Sequence, residues 1–350
     1  MKVSEFDFDL PPELIAQEPP VQRGASRLLR LDPSTSRLTD LNFADLPGLV
    51  RPGDLLVFND TRVFPARLIG RRLPGGGAVE CLLVRRVSKE DGAEVWEALV
   101  HPGQRLREGT RMEFEDTDVF ISGEILDRHY HGRRTVRLTT DAPSMEGAVD
   151  AIGHVPLPPY IKREDEAADR DRYQTVYARE RGSIAAPTAG LHFTPHLLSE
   201  LDARGVERSF VTLHVGYGTF QPVRVDDVGE HTIEPEEYDV SDVCAAALTR
   251  ARRDRRRIVA VGTTTVRTLE SLAVQDDVVQ PGRGATDLFV HPGHAFQLVS
   301  GLITNFHLPR SSLLMLVCAF AGRERVLAAY QHAIEKRYRF YSYGDAMAIL

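Results

Sequence analysis

The sequence predicts an α/β main domain that is interrupted by a small, inserted all-β unit. Apolar strands near residues 55–58, 258–262 and 302–303 each run directly into a polar loop, which is typical of strand carboxyl ends in an α/β sheet. Residues 66–156 lack a long helical period and contain short alternating runs separated by turn signals. With 350 residues, the chain is long enough to fill both cores.

The composition excludes several classes of protein. The 43 Lys+Arg and 50 Asp+Glu give a formal net charge of -7, so any RNA contact must be a local patch. Only 3 Cys residues are present, which argues against a disulfide framework and fits a cytoplasmic location. The acidic N-terminus and an apolar run of only residues 313–321 predict neither export nor membrane insertion.

The first part of the chain supplies framework and one strand with a polar end. Residues 10–17 are typical of a short helix opened by prolines, and residues 27–31 of a strand. The buried strand at residues 53–58 then turns into the polar run Asn59-Asp60-Thr61-Arg62. This end would suit a ligand, although a turn in which Asn59 and Asp60 bond their own backbone explains the same residues.

The inserted unit is predicted to be a small barrel. Turn signals such as Pro74-Gly75-Gly76-Gly77 and Pro102-Gly103 recur closely between its short strands. A proline-rich, charge-dense connector at residues 156–166 then returns the chain to the main domain. We therefore expect residues 1–65 and 157–350 to form the main domain and residues 66–156 to form the insert.

The central motif covers residues 185–194, where small residues, a hydroxyl and His192 directly precede a helix start. Thr194 is a natural N-cap, Pro195 suits the first helical position and Gly205 supplies a stop. A helix N-terminus close to His192 would suit an anionic group or a histidine used in proton transfer. A tight connection whose histidine merely caps a neighbour is the alternative.

Three later segments repeat the pattern of a strand followed by polar or glycine residues. The strand at residues 206–215 delivers His214 into a loop that starts at Gly216, where a ligand can approach the backbone closely. The strand at residues 257–262 enters a threonine loop and a helix, the general layout of an anion site, in which Arg267 could pair with a carboxylate. The strand at residues 302–309 carries Asn305 and His307 and precedes another helix start.

The residues alone lead to an α/β enzyme and leave its reaction open. His192, His214 and His307 in similar surroundings are the main functional signal. A metal-dependent hydrolase is the alternative, since a histidine with Asp60 or Glu234 could hold a metal, but the short fixed spacings of metal sites are missing. A Ser-His-Asp hydrolase is weaker still because no G-x-S-x-G motif occurs. The size and the many polar strand ends disfavour a pure binding module.

Taken together, these loops resemble one family, the S-adenosylmethionine:tRNA ribosyltransferase-isomerases of queuosine biosynthesis. The resemblance runs from end to end and implies a mixed-sheet α/β main domain interrupted by a small inserted antiparallel β-barrel. The most specific motifs cover residues 10–19, 59–62, 185–194, 213–216, 218–220, 261–264, 266–267, 304–309 and 342–347.

The resemblance also implies a reaction. The ribosyl moiety of S-adenosylmethionine is moved onto 7-aminomethyl-7-deazaguanine (preQ1) at the wobble position of tRNA and isomerised, which gives epoxyqueuosine-tRNA, adenine and methionine. S-adenosylmethionine is then a cosubstrate, and we expect no permanently bound cofactor and no metal. The expected partner is tRNA bearing preQ1, and the protein is expected to be a cytoplasmic monomer.

The implied chemistry assigns roles to the polar residues. Hydrogens on the carbon beside a sulfonium are acidified, so a histidine could remove one, while a second histidine or Asp60 could protonate the departing adenine. The threonine loop and Arg267 would suit the methionine carboxylate, and Asn59 and Asn305 could bond a ribose or a base edge. The expected catalytic residues are His192, His214, His307 and Asp60. The expected S-adenosylmethionine-binding residues are Asn59, Arg62, Thr188, Gly190, Gly216, Thr263, Thr264, Arg267 and Asn305.

Two further features concern tRNA and the family pattern. Residues 250–257 contain six arginines and one aspartate, and because they precede the strand of the threonine loop, we expect them to bind phosphates of the anticodon arm. The family usually carries a second histidine near His231, where this chain has Glu234.

Overall fold

The computed structural model has a large mixed sheet and a closed antiparallel barrel, which confirms the predicted fold class. It describes residues 1–90, 92–104, 106–116, 118–129, 132–216, 218 and 223–350. Most of the loop that follows Gly216, including two residues of the motif at 218–220, therefore lies outside the described residues.

The strands have the following bounds: β1 (Arg27–Leu31), β2 (Leu38–Asn42), β3 (Leu55–Asn59), β4 (Thr61–Val63), β5 (Arg67–Leu73), β6 (Ala78–Glu90), β7 (Ala93–His101), β8 (Arg111–Asp116), β9 (Val119–Arg128), β10 (Arg133–Thr140), β11 (Glu180–Ser183), β12 (Glu207–Leu213), β13 (Glu236–Val240), β14 (Ile258–Val261), β15 (Val274–Gln275), β16 (Val278–Val279), β17 (Gly282–Thr286), β18 (Gly301–Asn305) and β19 (Ala346–Ile349).

The α-helices are α1 (Met145–Ile152), α2 (Asp169–Arg172), α3 (Pro195–Ala203), α4 (Asp242–Arg253), α5 (Thr263–Glu270), α6 (Ser312–Ala321) and α7 (Arg323–Glu335). Short 3-10 helices cover Val3–Phe6, Pro12–Leu14, Phe43–Gly48, Thr188–His192 and Val228–Glu230.

The large sheet has the strand order β17-β13-β12-β3-β14-β18-β19-β1-β2. Its central strands β12, β3, β14 and β18 are all parallel to their neighbours within this group. The strand β19 runs antiparallel to β18 and parallel to β1. The carboxyl ends of the four central strands therefore meet at one edge, which we call the carboxyl edge.

Both faces of the central sheet are buried, as expected for parallel strands covered by helices. Along β3, Leu55 and Val57 join one core cluster while Leu56 and Phe58 join another, because successive side chains of a strand point to opposite faces. The predicted buried strand at this position is thus confirmed.

The helix starts that the sequence predicts are also present. The Thr194 hydroxyl accepts a hydrogen bond from the Leu197 backbone N–H at 3.1 Å, and Pro195 occupies the first position of α3. Ser241 and Ser311 cap α4 and α6 in the same way. Removing such a cap typically costs about 1 kcal/mol, so these hydroxyls fix where the loops before the helices end.

The barrel consists of β10-β7-β6-β5-β8-β9 in a closed order, and all of its strand pairs are antiparallel. Alternate residues of its strands point into a separate core that includes Met112, Phe114 and Val136. All barrel strands lie within the predicted insert at residues 66–156. The barrel and the main sheet therefore have independent cores, and the exact domain boundaries stay a prediction.

Candidate active site

A cavity of about 580 Å³ lies at the carboxyl edge of the sheet. Its wall includes residues that follow β14 and the last residues of β18, together with residues 185–189 of the central motif, which we call the central loop below. This volume is within the range of small-molecule sites in proteins. The lining side chains that matter below are Tyr160, Thr188, Thr263, Thr264, Asn305, His307, Tyr341 and Ser342.

The central loop reaches this cavity because of one glycine. A Cβ added to Gly190 would lie 2.0 Å from the Tyr177 hydroxyl, so only glycine lets the short helix Thr188–His192 pack this closely. Residues 185–189 line the cavity, whereas Gly190 itself is buried beneath it. The predicted role of Gly190 in ligand binding is therefore indirect, through the position of Thr188.

The threonine loop, which comprises residues 263–265, forms another part of the wall. Gly262 has a φ of 92°, a conformation that favours glycine, and it leads from β14 into α5. Thr263 and Thr264 occupy the first two positions of α5 and line the cavity. Since the N-terminus of a helix carries partial positive charge and backbone N–H groups without helical partners, this wall suits an anion.

Of the three predicted histidines, His307 is the one that lines this cavity. Its Nε2 bonds the Thr304 hydroxyl at 2.7 Å, and its backbone N–H donates to the Tyr330 hydroxyl at 3.0 Å. Among the described residues its Nδ1 has no hydrogen bond. Burial lowers the pKa of His307 to about 3, so the imidazole is neutral at physiological pH and is able to accept a proton.

His192 lies behind the wall rather than in it. Its Nδ1 lies 2.9 Å from the Ser26 hydroxyl and its Nε2 lies 3.1 Å from the Asn305 amide nitrogen. The ring also packs against Phe43, with 4.9 Å between the ring centroids. Burial, followed by the charges of Arg339 and Arg23, lowers its pKa to about 3.

Two residues of the cavity wall each carry a buried polar atom that lacks a hydrogen-bond partner among the described residues. These atoms are the amide oxygen of Asn305 and the hydroxyl of Tyr341. Both residues are buried, and an unpaired buried polar atom costs about 1–3 kcal/mol. Such atoms are typical of a site that a polar ligand completes.

Asn59 and Asp60 are already engaged within the protein. The Asn59 amide bonds the backbone N–H and C=O of Leu213 at 3.0 Å each and reaches the Thr264 hydroxyl at 3.4 Å, so it joins β3 to β12. The Asp60 carboxylate accepts hydrogen bonds from Thr212 at 2.7 Å and from Arg179 at 2.6 Å. Neither residue lines the 580 Å³ cavity.

His214 and Gly216 line a second, larger cavity of about 830 Å³ between the main sheet and the barrel. The Nδ1 of His214 bonds the Thr61 hydroxyl at 2.8 Å, and burial lowers the pKa of His214. A Cβ added to Gly182 would lie 2.7 Å from this ring, so the glycine permits the contact. Val215 lines both cavities, which places them side by side.

Arg62 and Arg267 do not reach the smaller cavity. Arg62 is exposed on β4. Arg267 is buried, forms an ion pair with Glu236 and donates to the backbone oxygens of Leu288 at 3.0 Å and Thr286 at 3.2 Å. The guanidinium that we expected to bind a carboxylate ligand thus already has a carboxylate of the protein as its partner.

Sequence reasoning missed two tyrosines of the wall. The rings of Tyr160 and Tyr341 pack against each other with 4.1 Å between centroids, and the Tyr160 hydroxyl bonds the Ser342 hydroxyl. Tyr160 comes from the proline-rich connector and Tyr341 from the aromatic C-terminal segment. The sequence signal for them is the unusual density of aromatic and proline residues in these two segments.

The arginine cluster at residues 250–257 does not lie beside the cavity. It precedes β14 and so lies at the opposite, amino edge of the sheet, while the cavity lies at the carboxyl edge. The cluster thus lies away from the pocket, and its binding to phosphates of the anticodon arm stays a prediction. Carboxylates also pair with most of its charge: Arg250 and Arg256 pair with Glu207, Arg252 with Asp277 and Arg257 with Asp54.

The metal alternative gains no support. Within the described ranges no group of three or more His, Cys, Asp or Glu side chains is arranged to hold a metal ion. The Glu234 carboxylate, which the metal interpretation used, pairs instead with Arg133 of the barrel. In the part of the chain that the structure describes, no helix has both the length and the apolar character needed to cross a bilayer.

Comparison with known proteins gives a consistent result. Residues 3–349 match the family model described as queuosine biosynthesis protein. The chain is 52% identical, over 100% of its length and 99% of the relative's, to an S-adenosylmethionine:tRNA ribosyltransferase-isomerase of Anaeromyxobacter sp. (strain Fw109-5). It is 49% identical, over 100% of both chains, to the protein of that name from Symbiobacterium thermophilum. A crystal structure of S-adenosylmethionine tRNA ribosyltransferase from Thermotoga maritima is 40% identical with a TM-score of 0.56, and the match covers 99% of this chain and 100% of that chain.

Proposed function

The chain belongs to the queuosine biosynthesis protein family, and we propose that it moves the ribosyl group of S-adenosylmethionine onto tRNA and isomerises it there. It is a transferase-isomerase, and the full-length similarity to enzymes of that name carries this conclusion. The acceptor we propose is the aminomethyl group of preQ1 at the wobble position, with adenine, methionine and epoxyqueuosine-tRNA as products. We also propose that the reaction takes place in the cytoplasm, which a tRNA substrate supports.

The 580 Å³ cavity is our proposed site for S-adenosylmethionine. The first turn of α5 suits the methionine carboxylate because Thr263 and Thr264 offer hydroxyls at the positive end of the helix. The buried oxygens of Asn305 and Tyr341 suit the polar groups of the rest of the molecule. The paired aromatic rings of Tyr160 and Tyr341 add an apolar surface of the kind that flat or hydrophobic ligand groups contact.

His307 is our proposed group for proton removal. It lines the cavity, and its low pKa keeps the imidazole in the form that accepts a proton. The proton that we propose it removes is one of those on the carbon beside the sulfonium, which the positive charge acidifies. Loss of this proton would open the ribose ring and release adenine.

Product analysis tests the proposed function. The full-length protein is incubated with S-adenosylmethionine and preQ1-bearing tRNA, and nucleosides and small molecules are quantified by mass spectrometry. We expect adenine and methionine in equal amounts with the modified nucleoside, because both leave from the same cosubstrate molecule. Formation of S-adenosylhomocysteine would instead show a methyl transfer and contradict the proposal.

Substitution of His307 tests its role. His307→Asn should reduce turnover by about 100- to 10,000-fold, the range typical of a lost general base, while S-adenosylmethionine binding changes little. His196→Asn is the matched control, because His196 is an exposed histidine on α3. Equal turnover in the His307→Asn and His196→Asn variants would remove His307 from the reaction.

A further inference from the structure

The orientation of the Asn305 amide is fixed by its surroundings. Its nitrogen lies 3.0 Å from the backbone oxygen of Tyr341. A carbonyl oxygen can only accept a hydrogen bond, so the atom that faces it must be the NH2 group. The amide oxygen therefore points away from this contact; it is buried and has no hydrogen-bond partner among the described residues, and Asn305 lines the cavity.

His192 supports the same orientation from a second side. The second amide hydrogen of Asn305 is directed at Nε2 of His192, at 3.1 Å. This Nε2 must then be the unprotonated acceptor, so the ring hydrogen is on Nδ1 and is donated to the Ser26 hydroxyl at 2.9 Å. Ser26 is buried just before β1, at an exposed fraction of 1%. The chain Ser26, His192 and Asn305 thus has one consistent arrangement of hydrogens.

The Tyr341 backbone, which fixes the other side of the amide, has an unusual conformation. Its φ is 75°, which is rare for an aromatic residue. Such residues persist where the surrounding structure holds them, and they occur frequently at functional sites. Its own hydroxyl is buried and likewise has no hydrogen-bond partner among the described residues.

We infer that Ser26 and His192 are positioning residues, which hold Asn305 so that its amide oxygen accepts a hydrogen bond from an N–H or O–H group of S-adenosylmethionine. This inference rests on the proposed function of the cavity. It removes His192 from the list of groups that exchange protons with the substrate, because both of its ring nitrogens already have partners within the protein. The low pKa of His192 agrees, since the ring stays neutral and Nε2 remains an acceptor.

Two substitutions of His192 separate positioning from catalysis. His192→Gln keeps an acceptor close to the place of Nε2, so we expect nearly wild-type S-adenosylmethionine affinity and a turnover within a few-fold of wild type. His192→Leu removes the acceptor and so one of the two contacts that hold the Asn305 amide, and we expect affinity to fall roughly ten-fold or more. If His192→Gln binds normally but loses turnover as severely as His192→Leu, the ring is a catalytic group and the inference is wrong.

Ser26→Ala provides a second variant in case His192→Leu does not fold. It removes only the partner of Nδ1 and should weaken S-adenosylmethionine binding several-fold, measured by titration calorimetry on the full chain. Ser209→Ala is the matched control, since Ser209 is a buried serine on β12, away from this hydrogen-bond chain. Equal affinities in the two variants would contradict a positioning role for Ser26.

Analogues of S-adenosylmethionine identify the donor. The 2′-deoxy, 3′-deoxy and N6,N6-dimethyl analogues and the analogue without the α-amino group each lack one class of donor. One of them should lose roughly ten-fold or more in affinity for the wild-type protein but nothing further in Asn305→Ala. If every analogue loses equally in both proteins, the Asn305 oxygen contacts no donor and the inference fails. The proposed function is tested separately, by whether the wild-type protein turns over S-adenosylmethionine with preQ1-bearing tRNA.

Discussion

His192, His214 and His307 look alike in the sequence, yet the structure gives each a different environment. His307 lines the smaller cavity, His214 lines the larger one, and His192 lies behind the wall between Ser26 and Asn305. A histidine at the end of a strand is thus a signal for a polar site, but its role depends on what its two ring nitrogens contact.

Burial of His192 and His307 makes stability depend on pH. Burial lowers the pKa of each folded-state histidine from 6.5 to about 3, whereas in the unfolded chain each keeps its usual value. The unfolded state therefore binds more protons below pH 6.5, and the stabilisation present above that pH is lost as the pH falls. When the pH is lowered from about 7.5 to about 5.5, each histidine should therefore lower the free energy of unfolding by about 1.4 kcal/mol.

Urea unfolding at the two pH values measures this loss. In His307→Asn, the difference in unfolding free energy between the two pH values should be about 1.4 kcal/mol smaller than in wild type. His196→Asn should leave the difference unchanged, because His196 is exposed. An unchanged difference in His307→Asn would show that the folded histidine titrates near its usual pKa.

At the scale of elements, one buried ion pair ties α5 to β13. Arg267 and Glu236 are exposed by only 3% and 5%, and the Glu236 carboxylate also accepts a hydrogen bond from the Gly216 backbone at 2.8 Å. Breaking a buried pair leaves an unpaired charge, so Arg267→Met should destabilise the fold by about 3–5 kcal/mol. Adding Glu236→Gln should recover part of this loss, because the charge disappears while an acceptor for Gly216 remains.

Unfolding free energies of the wild type and the single and double variants test this coupling. Measured together with S-adenosylmethionine binding, the same variants decide whether Arg267 stabilises the fold or binds the cosubstrate. A stable Arg267→Met variant that no longer binds S-adenosylmethionine would restore the original expectation that this arginine binds the methionine carboxylate.

The elements also show what could be predicted from the sequence. The polar ends of β3, β12, β14 and β18 were recognisable because parallel strands bring their carboxyl ends to one edge. The same rule places the arginine cluster at the other edge, since residues that precede β14 must lie there. Strand direction is readable from the sequence, so this placement was predictable.

The remaining parts of the site could not be predicted, because they depend on contacts between distant segments. The sequence does not indicate that Tyr160 packs against Tyr341, that Ser26 bonds His192, or that Glu236 pairs with Arg267. Each of these contacts is formed only after the sheet has brought its segments together. The polar strand ends are therefore recognisable as a group from the sequence, whereas the individual partners of their side chains are not.

At the scale of the whole molecule, the barrel and the main sheet together form the 830 Å³ cavity beside the 580 Å³ cavity. Arg133 of the barrel links the two parts by pairing with Glu234 of the main domain and, at 2.7 Å, with Glu97 of the barrel. The Glu234 carboxylate is half-exposed, so this pair contributes little to stability. The two cavities share Val215, and this proximity would let a cosubstrate and a tRNA base approach each other from different sides.

The position of the bound cosubstrate tests the central claim most directly. We would determine a crystal structure of the full-length protein with S-adenosylmethionine. We expect the ligand in the 580 Å³ cavity, with its carboxylate at the first turn of α5 and a donor within hydrogen-bonding distance of the Asn305 amide oxygen. A ligand bound in the 830 Å³ cavity beside His214, with the smaller cavity empty, would contradict it.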